Sequence, residues 1–219
     1  MAKPVVIVNC KTYPEATGGK AVRLAKLCEA MARAHNIDIR IAVQTTDIAA
    51  VAKAVKIPVY AQHVDAAEPG KTTGWTTAFA LKKAGAAGTL LNHAEHRIST
   101  QTICETTPYL RKARLSIVVI AENLDRLFEF GSIDADYFCV EPPELIGGEV
   151  SVSVARPDVI ENAVRAARKP LLMGAGIKDY NDFSIALRLG AKGVLLSSGI
   201  VLASDQRKAL LRLLTVRGQ

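Results

Sequence analysis

Residues 5–43, VVIVNCKTYPEATGGKAVRLAKLCEAMARAHNIDIRIAV, decide the fold. Val5–Val8 and Ile39–Val43 are short runs rich in β-branched residues, the composition of strands covered on both faces. Between them Leu24, Leu27, Cys28 and Met31 recur at helical spacing. Two buried strands joined by an amphipathic helix make a parallel βαβ unit, because parallel strands need a long crossover. The pattern then repeats. Pro58–Ala61, Thr89–Leu91, Ser116–Ile120, Tyr137–Val140, Leu171–Met173 and Val194–Leu196 read as further strands. Ile160, Ala163, Val164 and Ala167, then Phe183, Ala186, Leu187 and Gly190, mark helices among them. Eight such units in 219 residues predict an α/β fold, a single-domain (β/α)8 barrel spanning residues 1–219. A doubly wound sheet would want a Gly-rich turn after its first strand, where this chain carries Asn9, Cys10 and Lys11. Pro108, inside the segment from Gln101 to Ala113, predicts a helix that is kinked or starts late.

Composition bounds the partners. With 49% hydrophobic residues the chain can bury one large core. The formal charge of +7 is spread along the sequence without a basic tract, which argues against nucleic acid and suits a small anionic substrate. Cys10, Cys28, Cys104 and Cys139 are too far apart for a CxxC pair or a zinc cluster, and read as buried free thiols in a reducing cytosol. The apolar run before Asn9 and Lys11 is too short for a signal peptide or a membrane span, so a soluble cytoplasmic protein with no membrane contact is expected.

Barrels of this kind carry their active sites at the C-terminal strand ends. After the first strand come Asn9 and Lys11, which in extended chain project to the same side. A lone lysine there is ordinarily a surface residue. After the fourth comes a polar cluster, Asn92-His93-Ala94-Glu95-His96-Arg97. It lacks HExxH spacing and has no cysteine beside it, so no metal is expected. After the sixth, Glu141 ends a buried strand. Pro142 and Pro143 then stiffen the chain, Leu145 and Ile146 form an apolar tip, and Gly147 and Gly148 allow backbone rotation. This is the construction of a lid over residues 142–149, although a rigid surface loop has the same composition. A lid that excludes water makes a carboxylate at its base a stronger base and protects a reactive intermediate. After the seventh come Gly174, Ala175, Gly176 and Ile177, with Asp179 opening a helix; after the eighth come Ser197, Ser198 and Gly199. Small residues at these two ends suit a phosphate held by backbone amides.

Asn9-Cys10-Lys11, the Asn92–Arg97 cluster and Val140-Glu141-Pro142-Pro143-Glu144-Leu145-Ile146-Gly147 together resemble the triosephosphate isomerase family, over nearly the whole chain. The compact length, the lid and the Gly-Ala-Gly-Ile turn resemble its short archaeal branch. The resemblance implies a TIM barrel that interconverts dihydroxyacetone phosphate and D-glyceraldehyde 3-phosphate through an enediolate. It implies no metal or organic cofactor. Glu141 would be the base, His93 a neutral electrophile, Lys11 the electrostatic anchor, Asn9 its positioner and Glu95 a support. That division of labour is the one known for the family. Ile146 and Gly147 would close on the phosphate, and Gly176, Ser197 and Ser198 would offer it amides.

The sequence departs from the family's usual Gly-Thr-Gly after the lid isoleucine, having Gly147, Gly148 and Glu149. The segment from Gln62 to Trp75 resembles the loop by which family members grip a partner subunit, and the chain's only tryptophan there predicts a homo-oligomer, a dimer before a tetramer. Two other readings of the same strand ends are a different phosphate-handling barrel enzyme, such as a Schiff-base aldolase using Lys11 or a biosynthetic isomerase of a larger ribose phosphate, and a phosphate-binding barrel without turnover.

Overall fold

The computed structural model describes residues 3–142 and 157–215. Among the described residues eight strands form: Val5–Asn9 (β1), Asp38–Val43 (β2), Val59–Ala61 (β3), Gly88–Leu91 (β4), Ser116–Ala121 (β5), Tyr137–Val140 (β6), Leu171–Met173 (β7) and Gly193–Leu196 (β8). They pair in parallel in chain order, and β8 returns to β1 to close the barrel. No strand boundary differs by more than one residue from its expectation. The surrounding helices are Gly19–His35 (α1), Ile48–Ala54 (α2), Ala78–Lys83 (α3), Thr100–Lys112 (α4), Leu124–Glu129 (α5), Pro157–Ala166 (α6), Tyr180–Arg188 (α7), the short Ser198–Val201 (α8) and Gln206–Leu214 (α9).

Local chemistry explains where helices begin. Thr77, Ser99, Asn123, Asp179 and Asp205 each accept a hydrogen bond from a backbone N–H of the following first turn, satisfying donors that have no partner inside the helix. The capped start at Ser99 corrects the expectation of a late helix, for α4 runs from Thr100 with Pro108 inside it. The same helix corrects the thiol reading. Cys10, Cys28 and Cys139 are buried, but Cys104 is exposed, because helical geometry turns it away from the face that buries Ile103, Thr107 and Leu110.

Two cores result from the two faces of the sheet. The larger lies between sheet and helices and takes Val6, Val8, Ile39, Ile41 and Val43 from the strands. The smaller fills the barrel with Val5, Ile7, Ala42, Tyr60, Leu90, Val118, Ile120, Cys139, Leu172 and Leu195. Its floor is polar. Arg40, within the barrel, donates to Asp38 Oδ2 (2.6 Å), Tyr60 Oη (2.8 Å) and Tyr137 Oη (3.1 Å), so a buried cation has a carboxylate and two hydroxyls around it. Its guanidinium carbon also lies 4.8 Å from the Tyr137 ring centre.

Glycines leave room for this packing. A Cβ at Gly88 would stand 2.5 Å from the Tyr60 ring, and one at Gly193 only 1.9 Å from the Val5 carbonyl oxygen across the closing seam. Gly193→Ala should therefore force β8 away from β1 and lower unfolding stability by about 3 kcal/mol or more, the upper range for overpacking. Urea unfolding measures this, and an unchanged midpoint would contradict the packing at the seam.

Candidate active site

The alternation that fills the barrel also delivers its rim. Continued two residues past the last core position, it leads from Ile7 to Asn9, Tyr60 to Gln62, Leu90 to Asn92, Cys139 to Glu141, Leu172 to Gly174 and Leu195 to Ser197. Left-handed backbone breaks the alternation at Lys11 (φ 46°), Asn92 (φ 62°) and Ala175 (φ 71°). Asn9 and Lys11 do share the cleft, but the expected extended chain is corrected: β1 ends at Asn9 and the chain turns at Lys11. Asn92 spends its side chain on backbone, donating to the Ile120 carbonyl at 2.9 Å and accepting from Ile98 N–H at 2.9 Å. Its turn brings His93 into the cleft instead.

Lys11, His93, Glu95 and Glu141 line one cleft of about 570 Å³ together with Asn9, Gly176, Ser197 and Ser198. Lys11 Nζ meets Glu95 Oε1 at 2.6 Å. Asn9 Oδ1 accepts from Lys11 N–H at 3.0 Å and from Gln62 Nε2 at 3.2 Å, and Gln62 also donates to the Lys11 carbonyl at 2.9 Å. Sequence reading assigned Gln62 to the subunit-contact loop, yet its amide fixes the turn that aims the lysine. The two-residue step after β3 was the signal for it.

His93 is buried, and its Nδ1 accepts the Glu95 backbone N–H at 3.1 Å. An accepting Nδ1 carries no proton, so the ring is the Nε2–H tautomer. The Glu95 carboxylate stands farther from Nδ1, at 3.7 Å, and is engaged by Lys11. His93 Nε2 lies 3.2 Å from Glu141 Oε2 without the alignment of a hydrogen bond, and among the described residues Oε2 has no donor. A buried carboxylate oxygen left unsatisfied is costly and points to a working group. Glu141 remains anchored to the sheet, its N–H donating to the Ala121 carbonyl at 2.9 Å. Gly174 gives it room, since a Cβ there would lie 3.0 Å from the carboxylate.

The two cysteines nearest these groups are not nucleophiles. Burial, with the Asp47 charge second, pushes the Cys10 thiol up to about 12. Burial, with the Glu141 charge second, holds Cys139 well above the usual thiol range. The His-x-Glu-His cluster divides: His96 stacks on His63 with ring centres 4.2 Å apart, while His93 enters the cleft. Among the described residues no group of three His, Cys, Asp or Glu is placed to hold a metal ion, and no helix is long and apolar enough to cross a membrane. The lid positions after Pro142, including Ile146, Gly147, Gly148 and Glu149, lie outside the described residues. Tyr13, Lys178 and Arg212 also line the cleft, and the sequence reading singled out none of them.

Comparison with known proteins agrees in extent and name. A family profile described as triosephosphate isomerase matches residues 4–215. The triosephosphate isomerase of Methanothermus fervidus is 40% identical over 98% of this chain and 99% of its own. That of Archaeoglobus fulgidus is 43% identical over 94% and 95%. A crystal structure of triosephosphate isomerase from Bartonella henselae superposes with a TM-score of 0.75 over 96% of this chain and 97% of that one, at 18% identity, which speaks to the fold.

The hydrogen bond from Glu95 N–H has a spectroscopic consequence. In 15N NMR near neutral pH, His93 should show a protonated Nε2 and an unprotonated Nδ1. Two protonated nitrogens would mean a charged ring and overturn the tautomer.

Proposed function

Because this chain belongs to the triosephosphate isomerase family, in its archaeal branch, we propose that Glu141, His93 and Lys11 are the groups that carry its reaction. The reaction is the interconversion of dihydroxyacetone phosphate and D-glyceraldehyde 3-phosphate by proton transfer through an enediolate, a step of glycolysis and gluconeogenesis. One carbon is oxidised as its neighbour is reduced, so the chemistry calls for no external redox partner and no cofactor.

The single observation carrying the residue roles is the convergence of an ammonium, an imidazole and a carboxylate from three strand ends on one cleft. The Glu141 carboxylate takes a proton from C1 of the ketose, and the electron pair forms the C1–C2 double bond. Negative charge develops on the C2 oxygen, where the Nε2–H of His93 donates. A neutral imidazole suits this task, because an imidazolium would surrender its proton too readily. His93 Nε2 passes its proton to the C2 oxygen and takes the proton of the C1 hydroxyl in return, so the negative charge moves to the C1 oxygen; Glu141 then returns its proton at C2 as the C1 carbonyl forms. Lys11 is the fixed charge for phosphate and oxyanion, held by Asn9 and Glu95. That ion pair suits an anchor better than a Schiff-base nucleophile, which must be uncharged. Gly176, Ser197 and Ser198 offer backbone amides to the phosphate; Ile146 and Gly147, to which the family resemblance gives the lid, lie outside the described residues.

The protein works as a homo-oligomer in the cytoplasm, a dimer formed through the loop around Gln62 to Trp75. Trp75 and Phe79 are each 54% exposed, apolar surface that a second copy would cover.

Glu141→Gln should lower kcat by roughly 10²–10⁴-fold while dihydroxyacetone phosphate still binds by calorimetry; normal turnover would remove Glu141 from the role of base. Trp75→Glu should shift the sedimentation coefficient to that of a monomer. An unchanged oligomer would place the contact elsewhere.

A further inference from the structure

Arg212 lies on α9 and lines the active cleft, which Gly176, Ser198 and Gly199 also line. Helical side chains lean toward the N-terminus of their helix. Only four residues separate the α9 helix from the end of α8, the short helix that follows β8 at the rim, so that lean carries the guanidinium toward the phosphate loops. The charge of Lys11, the obvious anchor, is already opposed by Glu95 at 2.6 Å. Arg212, by contrast, is exposed and has no ion pair among the described residues. It also borders the adjoining surface groove with Lys208, where the acidic Asp205 is occupied in capping α9 through the Lys208 N–H. An unopposed guanidinium at the edge of a cleft is placed to attract a dianion from solvent and offers a planar donor fork for its oxygens.

We propose that Arg212 is a specificity-determining residue that captures the substrate's phosphate group and delivers it to Lys11 and the loop amides, taking no part in proton transfer. This rests on the reading of the cleft given under Proposed function. Arg212 then governs kcat/KM and discrimination for phosphorylated over unphosphorylated trioses, and leaves kcat to Glu141 and His93.

The test compares wild type, Arg212→Gln, Arg212→Lys and Arg207→Gln, the last removing a cation from the same helix. Steady-state kinetics with triose phosphate are measured at ionic strengths of about 10 mM and about 1 M, where charge acts over very different ranges. Calorimetry with inorganic phosphate is run alongside. Arg212→Gln should lower kcat/KM and phosphate affinity by about threefold to tenfold at low salt, with kcat unchanged and the difference gone at high salt. Arg212→Lys should recover most of the loss, and Arg207→Gln should match wild type. The proposal is overturned if Arg212→Gln matches wild type at low salt, if kcat falls together with kcat/KM, or if Arg207→Gln is equally impaired. A wild-type chain without turnover would count against the isomerase reading alone, since phosphate calorimetry still decides the role of Arg212.

Discussion

Eight parallel strands closed into a ring leave one narrow cylinder, and their inward side chains must fill it. That constraint governs everything above it. The same alternation that lines the cylinder with Val5, Ile7, Leu90, Cys139 and Leu195 presents Asn9, Asn92, Glu141 and Ser197 at its open end. Core and rim are successive layers of one pattern, so the active groups inherit the rigidity of the packed interior. Glu141 is held to β5 by its own N–H, and Gly174 keeps the neighbouring layer thin enough to admit its carboxylate.

Reactivity arises where that regularity is broken. Lys11, Asn92 and Ala175 adopt left-handed backbone without being glycine, a strained state that surrounding bonds must maintain. Around Lys11 the bonds come from Asn9 and Gln62; at Asn92 they come from Ile98 N–H and the Ile120 carbonyl. The outcome is a set of groups in partly unsatisfied states: an imidazole with one nitrogen accepting from backbone, a buried carboxylate oxygen with no donor, and an ammonium on a single carboxylate. Under the proposed function, such groups would gain partners when substrate arrives, and that gain would be available to the transition state.

The strands were legible in sequence because β-branched runs such as Val5–Val8 and Ser116–Ile120 must be buried on both faces, a demand few other arrangements meet. His93 and Glu141 were legible by their place just after such runs. Other features were not. Period-two counting points to Asn92 rather than His93, and only the left-handed turn at Asn92 reverses them. Lys11 reaches the cleft by a turn that no local composition announces. Gln62 looked like the start of a protruding loop because its acceptors, on β1 and β2, are distant in sequence. Pro108 did not delay α4, since the Ser99 cap supports the start independently of a proline two turns later. Arg212 was invisible because a cation on the outer face of a last helix resembles any other until the barrel brings it to the rim.

The floor of the barrel sets a condition on traffic. Arg40, Asp38, Tyr60 and Tyr137 close that end with a bonded plug, and Gly88 lets the Tyr60 ring lie flush against β4. The chamber above is a blind alley. Aldose, ketose and any water must use the same doorway, one after another, so each turnover waits for the previous occupant to leave by the route it came.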